Sequence, residues 1–401
     1  KKYADRVLKT SPYSKTAYKV LSDVITQQQG INATENFLLE AKNKIKGNLE
    51  IELNIIKMLS KIHIHNKQSE KTIPLIEDMA KHYDGNPKVL SFYTDILLTN
   101  HDTTQAKKIL RRIILQNPQD GKHLLMLAQL LGQEKGKENE TIQLLEAAEK
   151  YLTKPTLALA LKTNLFLKLK QYKKALNLTE YIIKTYPQQS IGHALQGTTL
   201  QSQEKYTQAL KSYYKAYEMT PSRINIDSIL KILLIQNKNN ELEAFLQQEI
   251  KKHPNNGLIQ TRLANAYQRS GKNDASIKLF KSLLIRSPDN AIILNNLAWA
   301  YHASGNEPMA IKNAKKAYNI TPKSNAIMDT YGYMLINSNQ KLALSILKEA
   351  TKINPKNTQI QLHLAEAYLA NNLKSEAIAI LTSLSNSKSS IQKTALKLLN
   401  H

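Results

Sequence analysis

The sequence predicts an all-α fold, a right-handed superhelical solenoid of about eleven helix-turn-helix units. The first observation is a proline that returns at nearly constant distance. The steps are 31, 37, 32, 34, 33, 34, 34 and 33 residues, between Pro87, Pro118, Pro155, Pro187, Pro221, Pro254, Pro288, Pro322 and Pro355. The second is that apolar residues between these prolines recur at helical spacing. A helix pair of this length cannot bury its apolar face alone, so neighbouring pairs must stack into one core.

The proline has a physical reason to stand at the end of each second helix. It has no amide proton and disfavours helical backbone in the preceding residue, so the helix ends there and the next begins at a fixed angle. The clearest unit lies between Pro288 and Pro322, and its packing residues are Leu294, Leu297, Ala298, Tyr301, Gly305, Ala310, Ala314 and Ala317. The alanines allow close helix contact, and the larger side chains fill the groove between the helices.

Four segments follow one another along the chain. Residues 1–12 match the second helix of a truncated repeat that ends at Pro12, so we expect a piece of a longer solenoid. Residues 13–86 hold degenerate units, in which helical spacing continues without the expected proline. Residues 87–384 form the main array, and 385–401 contain a polar break and a short amphipathic capping helix. No linker is evident, which predicts a single array.

The formal charge of +24 raises the question of an anionic partner. The excess is mostly lysine spread over many helices, as in the pairs at 107–108, 173–174, 251–252 and 315–316. Specific phosphate recognition tends to use arginine, which is scarce here. The pattern favours a solvated lysine coat over a nucleic-acid surface. An acidic polysaccharide remains compatible, because it does not need bidentate contacts.

Residues suited to catalysis or metal binding do not form a recognisable pattern. The chain has no cysteine, which excludes disulfides and thiol chemistry. His63 and His65 are two residues apart on a predicted helix and point to different faces, so they cannot chelate one ion. No phosphate-binding glycine loop and no stretch of eighteen apolar residues occur. We therefore expect no enzyme activity, cofactor, metal site or transmembrane segment.

The residues free to bind a partner are those on each first helix that the packing pattern does not use. They are expected on the inner, concave surface between the packing stripes. Between Gly257 and Asn357 these candidates are Thr261, Asn265, Gln268, Asn295, Trp299, His302, Asp329 and Tyr333. Trp299 is the only tryptophan, a residue enriched at binding hot spots. The alternative is that Trp299 wedges between neighbouring first helices as a packing residue.

A two-helix unit with a period near 34 residues and a terminal proline is typical of tetratricopeptide repeats (TPR), and the chain resembles that superfamily along nearly its whole length. The two-carboxylate clamp of chaperone-binding TPR domains requires asparagines in successive units together with three basic residues. Asn265 and Asn296 match the asparagines, but Thr261, Ala326 and Thr330 stand where basic residues are needed. We therefore do not expect this chain to bind a chaperone's acidic tail.

Two short runs narrow the resemblance. They read Asn-Asn-Leu-Ala-Trp-Ala at 295–300 and Asp-Thr-Tyr-Gly-Tyr at 329–333. They resemble the carboxyl-terminal repeats of large bacterial TPR proteins, in particular lipoproteins associated with PEP-CTERM/exosortase sorting and exopolysaccharide export. The resemblance implies a scaffold in the periplasm or cell envelope, with a lipid anchor upstream of Lys1. A cytoplasmic location is the alternative.

Three functional hypotheses remain open. The first is a non-enzymatic scaffold whose concave groove binds a peptide or partner helix, in a bacterial envelope export or exopolysaccharide system. The second is a basic solenoid that binds nucleic acid or an acidic polysaccharide. The third is the regulatory or substrate-delivery part of an enzyme whose catalytic domain lies outside this sequence.

Overall fold

The computed structural model describes residues 2–45, 47–386 and 391–399. Within these residues the secondary structure consists of 24 α-helices and one short 3-10 helix at Ser69–Lys71. Contacts divide the chain into two compact units, Lys1–Ile226 and Asp227–His401. The sequence predicts a single array, and the boundary between the two compact units falls inside one helix. The four segments at 1–12, 13–86, 87–384 and 385–401 stay predictions.

The first unit contains thirteen complete helices in its described part. These are α1 (Lys2–Thr10), α2 (Lys15–Gln29), α3 (Ile31–Lys44), α4 (Leu49–His65), α5 (Thr72–His82), α6 (Pro87–Thr99), α7 (Thr103–Gln116), α8 (Gly121–Leu131), α9 (Glu138–Tyr151), α10 (Thr156–Lys168), α11 (Tyr172–Thr185), α12 (Ile191–Ser202) and α13 (Tyr206–Met219). From α1 to α13, each helix packs on the next along the chain. The degenerate stretch 13–86 therefore forms two ordinary helix pairs, α2 with α3 and α4 with α5.

The boundary between the units lies in α14 (Arg223–Ile235). The helices that follow are α15 (Asn239–Lys252), α16 (Gly257–Arg269), α17 (Asn273–Arg286), α18 (Ala291–Ala303), α19 (Glu307–Ile320), α20 (Asn325–Leu335), α21 (Gln340–Ile353), α22 (Thr358–Ala370), α23 (Lys374–Ser385) and α24 (Gln392–Leu399). Successive helices from α15 to α24 contact one another. The predicted capping segment corresponds to α24, which packs on α23, although 387–390, 400 and 401 lie outside the described residues.

Within the described residues, the helices from α2 to α23 alternate as first and second helices of eleven helix-turn-helix repeats. The predicted all-α repeat fold is confirmed, and the right hand of the superhelix stays a prediction. Ala298, Ala310 and Ala317, which the sequence assigns to close helix contacts, are fully buried. Between α20 and α21, a Cβ on Gly332 would lie 2.7 Å from Leu347 Cγ, so only glycine fits this contact without a shift.

Seven of the nine periodic prolines stand two residues beyond the end of a second helix, from Pro118 after α7 to Pro355 after α21. Pro87 and Pro155 differ from the prediction. Pro87 is the first residue of α6, and Pro155 is the N-cap of α10. Proline is tolerated there because the amide it lacks would have no partner within the helix. In these two places the proline starts a first helix rather than ending a second one.

A capping residue follows several of these prolines at a distance of two. The side chains of Asn256, Asn290 and Asn357 accept hydrogen bonds from the first backbone amides of α16, α18 and α22. Asp120 does the same for α8 after Pro118. Each of these junctions therefore joins a helix stop to a helix start within three residues. Of the helices described, none is both long and apolar enough to cross a bilayer.

Candidate partner-binding site

In the second compact unit, Asp227–His401, the first helices of the helix-turn-helix repeats form a layer of their own. α16 contacts α18, α18 contacts α20, and α20 contacts α22, in addition to the contacts that each helix makes within its own pair. All eight predicted binding residues lie on α16, α18 and α20. Seven of them are partly exposed, and Asp329 is buried. Their role in binding stays a prediction, but their positions differ in ways that the sequence did not indicate.

The three candidates on α16 lie apart from the others. Thr261 Oγ1 donates to the carbonyl oxygen of Gly257 at 2.7 Å. Asn265 lines a cavity of about 140 Å³ together with Arg262 and leucines of α14 and α15. Gln268 is partly exposed at the end of the same face. In the described part of the chain, no hydrogen bond or ring contact joins these three residues to the candidates on α18 and α20.

Four aromatic and imidazole side chains meet across α18, α20 and α22, and we call Trp299, His302, Tyr333 and His363 the ring cluster. The ring of Trp299 stacks on that of Tyr333, with centroids 5.3 Å apart and planes 25° apart. His302 meets Tyr333 edge-on at 5.6 Å, and His363 lies 4.2 Å from Tyr333. Tyr333 is thus in contact with each of the other three rings, and so is Trp299, which lies 5.7 Å from His302 and 6.2 Å from His363.

Hydrogen bonds hold two of these rings in place. The indole Nε1 of Trp299 donates to Thr330 Oγ1 at 2.9 Å, which ties α18 to α20. Thus the contacts of Trp299 fit the packing interpretation, in which the ring wedges between neighbouring first helices. Nε2 of His363 accepts from Gln359 Nε2 at 2.8 Å, which leaves the ring proton on Nδ1.

That proton points to Asp329, because Nδ1 of His363 donates to Asp329 Oδ1 at 2.8 Å. Asp329 is 8 % exposed and His363 is 4 % exposed. The carboxylate of Asp329 therefore has a buried partner within the protein. This hydrogen bond holds the ring of His363 in its orientation, and the predicted contact of Asp329 with a partner protein stays a prediction.

Two further carboxylates lie beside the ring cluster. Nδ1 of His302 donates to Glu307 Oε1 at 2.6 Å. Glu366 on α22 is half-buried, and its burial raises the pKa of its carboxyl group, an effect that His363 opposes and Asp329 reinforces. Burial also raises the pKa of the Tyr333 hydroxyl, and the negative charges of Glu366, Glu307 and Asp329 raise it further. The surroundings of Tyr333 are thus locally acidic in a strongly basic chain.

A cavity of about 250 Å³ opens at this place. Its wall includes His302, Glu307, Tyr333 and Glu366, with Ile311 and the turn at 336–338. The cavity lies where α18 and α20 end and α19 begins. It is therefore framed by side chains from three successive helix-turn-helix units.

Sequence reasoning missed Glu307, Gln359, His363 and Glu366. The repeat period could have predicted that His363 belongs to this site. Trp299 and Tyr333 are 34 residues apart, as are Asp329 and His363, so each pair occupies equivalent positions in successive units. Asn295 precedes Asp329 by the same distance, and its Oδ1 is buried without a hydrogen-bond partner.

Two segments of the second compact unit match a known protein family. Residues 257–323 and residues 339–391 each match a tetratricopeptide repeat model. These two segments are thus similar to tetratricopeptide repeats. The ring cluster is shared between them and the short stretch that separates them, since His302 lies in the first segment and His363 in the second. The TPR superfamily predicted from the proline period is therefore supported by the sequence match.

Several solved structures are similar to the chain at low identity. The crystal structure of the APC/C hetero-tetramer Cut9-Hcn1 contains a chain 13 % identical, with a TM-score of 0.46, covering 99 % of this chain and 92 % of that one. The yeast Tom70 crystal structure has 13 % identity, a TM-score of 0.49 and coverages of 96 % and 95 %. The structure of Naa15/Naa10 bound to HypK-THB has 16 % identity, a TM-score of 0.39 and coverages of 97 % and 66 %. No curated protein matches the chain.

Proposed function

We propose that the chain is a non-enzymatic scaffold that binds an extended peptide or a helix of a partner protein on the first helices α16, α18, α20 and α22. The observation that supports this most is the ring cluster. Trp299, His302 and Tyr333 remain partly exposed on this layer, whereas other apolar residues of the same helices, such as Leu297, Ala298 and Leu335, are buried in the core. Exposed aromatic side chains held in fixed orientations lose little entropy on binding, which suits them to recognition.

The resemblance of 295–300 and 329–333 to repeats of envelope proteins supports a more specific setting. In this setting the scaffold serves a bacterial export or exopolysaccharide system in the periplasm and is held by a lipid anchor outside the sequence. Fractionation of native cells with an antibody to residues 257–399 tests this location. Recovery in the cytoplasmic fraction would contradict it and favour the alternative location.

Photo-crosslinking from single positions tests the binding face. A photoreactive residue replaces Gln268 on the first-helix layer, and in a matched variant it replaces the exposed Lys281 on the second helix α17. We expect crosslinks to a protein partner in native cells from position 268 and none from position 281. Equal crosslinking from both positions would contradict the assignment of the face. Crosslinks to nucleic acid or polysaccharide alone would favour the basic-solenoid hypothesis.

Substitution of Trp299 by alanine is a poor test of binding. The indole stacks on Tyr333 and donates to Thr330, so its loss would disturb the packing of α18 on α20. Asn265→Ala and Asn295→Ala are better variants, because both residues are partly exposed on the first-helix layer and neither takes part in the ring cluster. We expect the double variant to reduce the yield of crosslinks at position 268 while the protein stays folded.

A further inference from the structure

We propose that the cavity beside Tyr333 is a subsite for a basic side chain, lysine or arginine, of the bound partner. This inference rests on the proposed function, because it names the chemistry that one part of the binding face would recognise. The cavity measures about 250 Å³ and opens between the ends of first helices in consecutive repeats. It therefore lies beside the ring cluster, on the face where a partner peptide would run.

The charge of the cavity wall is opposite to that of the whole chain. Glu307 and Glu366 line it, and none of its lining residues is lysine or arginine, although the chain carries a formal charge of +24. Glu307 is the first residue of α19, where the helix dipole stabilises a negative charge. The carboxyl-terminal ends of α18 and α20 place the negative ends of two helix dipoles at the same cavity, against the single positive end of α19.

Glu366 gives the strongest reason to expect a cation. It is half-buried, and in the described residues it forms no ion pair within the protein. A carboxylate that is partly desolvated is destabilised in its charged form, unless a cation lies beside it. An ammonium or guanidinium group in the cavity would relieve that cost and could contact Glu307 at the same time.

The aromatic part of the wall suits the rest of such a side chain. Tyr333 and Ile311 present apolar surface, against which the methylene stem of a lysine or arginine can pack. The electron-rich ring of Tyr333 also attracts a cation that approaches its face. Together, two carboxylates and an aromatic wall match a long basic side chain better than they match an anion or an apolar group.

Calorimetric titration with a defined peptide tests the subsite. The probe is an acetylated and amidated pentapeptide with one central arginine between glycines and serines, and its control carries citrulline, which has the same shape without the charge. We expect saturable binding of the arginine peptide with a Kd on the order of 1 mM and at least about tenfold weaker binding of the citrulline peptide. Because Trp299 is the only tryptophan and stacks on Tyr333, its fluorescence should change during the same titration.

Matched variants locate the bound peptide. Glu366→Gln should weaken the arginine peptide by about tenfold or more. Glu349→Gln removes an exposed carboxylate on α21 that pairs with Lys352, and it should leave the titration unchanged. Equal binding of the arginine and citrulline peptides, or unchanged binding to folded Glu366→Gln, would overturn the subsite. Tighter binding of Ca²⁺ or Mg²⁺ alone than of the arginine peptide would also overturn it.

The two proposals fail in different experiments. If the arginine peptide does not bind while position 268 still crosslinks to a protein, the subsite is wrong and the scaffold stands. If the arginine peptide binds as expected while crosslinks arise equally from positions 268 and 281, the cavity recognises a cation but the assigned binding face is wrong.

Discussion

His363 and Asp329 are 34 residues apart in the chain, and a hydrogen bond of 2.8 Å joins them in the buried layer between α20 and α22. The same spacing separates Trp299 from Tyr333, whose rings are stacked. In a stack of equal units, equivalent positions of neighbouring first helices come into contact. Polar and aromatic side chains at such positions therefore join one repeat to the next, in addition to the apolar core.

Replacing Asp329 by alanine should lower the free energy of unfolding by about 1–3 kcal/mol, because the buried Nδ1 proton of His363 would lose its acceptor. Denaturant unfolding followed by circular dichroism measures the change. The double variant Asp329→Ala with His363→Leu should lose less than the sum of the two single variants, since the two side chains act as a pair. Strict additivity would show that the hydrogen bond contributes nothing.

Gly332→Ala should destabilise the protein by about 1–3 kcal/mol, because the added methyl group would meet Leu347 between α20 and α21. Adding Leu347→Val to Gly332→Ala should recover part of the loss. A matched control is Gly257→Ala at the start of α16, where the new Cβ would lie 3.6 Å from Leu283, an ordinary contact. That control should be neutral or slightly stabilising. If Gly332→Ala and Gly257→Ala change the free energy of unfolding equally, the close contact at Gly332 does not contribute to stability.

Asn290→Ala should cost about 1 kcal/mol of stability, because the side chain caps α18 by accepting from the amides of Ile292 and Ile293. Asn290→Asp keeps an acceptor at the same place and should retain most of the stability. Thermal unfolding of the three proteins in parallel gives the comparison. A melting temperature for Asn290→Asp as low as that for Asn290→Ala would contradict the capping role.

Glu366→Gln should stabilise the free protein at neutral pH while it weakens cation binding. The folded state raises the pKa of Glu366, mainly by burial, so the native protein holds this proton at higher pH than the unfolded chain does. The penalty for ionising Glu366 is absent at pH values below its unfolded pKa and grows as pH rises through the folded pKa. The stability gain of the variant should therefore appear on going from acid to neutral pH.

Chemical denaturation at several pH values measures this gain, with Glu349→Gln as the control. Glu349 is exposed and paired with Lys352, so its substitution should change stability by less than about 1 kcal/mol at any pH. A Glu366→Gln variant that is less stable than the native protein at neutral pH would show that the carboxylate is satisfied in the free state. The subsite would then lose its main physical argument.

Much of the fold could be predicted because each helix-turn-helix repeat has the same types of residue at the same positions. Proline marks the ends of second helices, and small residues such as Ala310 and Gly332 mark close helix contacts. The exceptions at Pro87 and Pro155 arise because proline is compatible with both the end of one helix and the start of the next. A periodic proline alone does not say which of the two it marks.

The site was harder to predict because its chemistry depends on contacts between units. Helical spacing predicted that Trp299, His302 and Tyr333 lie on one face of the first helices. The environment of Asp329 could not be predicted in this way, because Asp329 is buried against His363 of the next helix-turn-helix repeat. In the sequence, Glu366 had no feature in its own helix that distinguished it from glutamates that are exposed. Only the packing of α22 beside α20 gives it neighbours that raise its pKa.

The four rings come from α18, α20 and α22, which belong to three consecutive units. Each repeat of such an array contacts only its neighbours, so an array from which one whole repeat is removed can still stack. Here such a change between α18 and α23 would leave a folded array without its ring cluster. The ring cluster is therefore a property of three consecutive repeats in a fixed order, and no single repeat carries it alone.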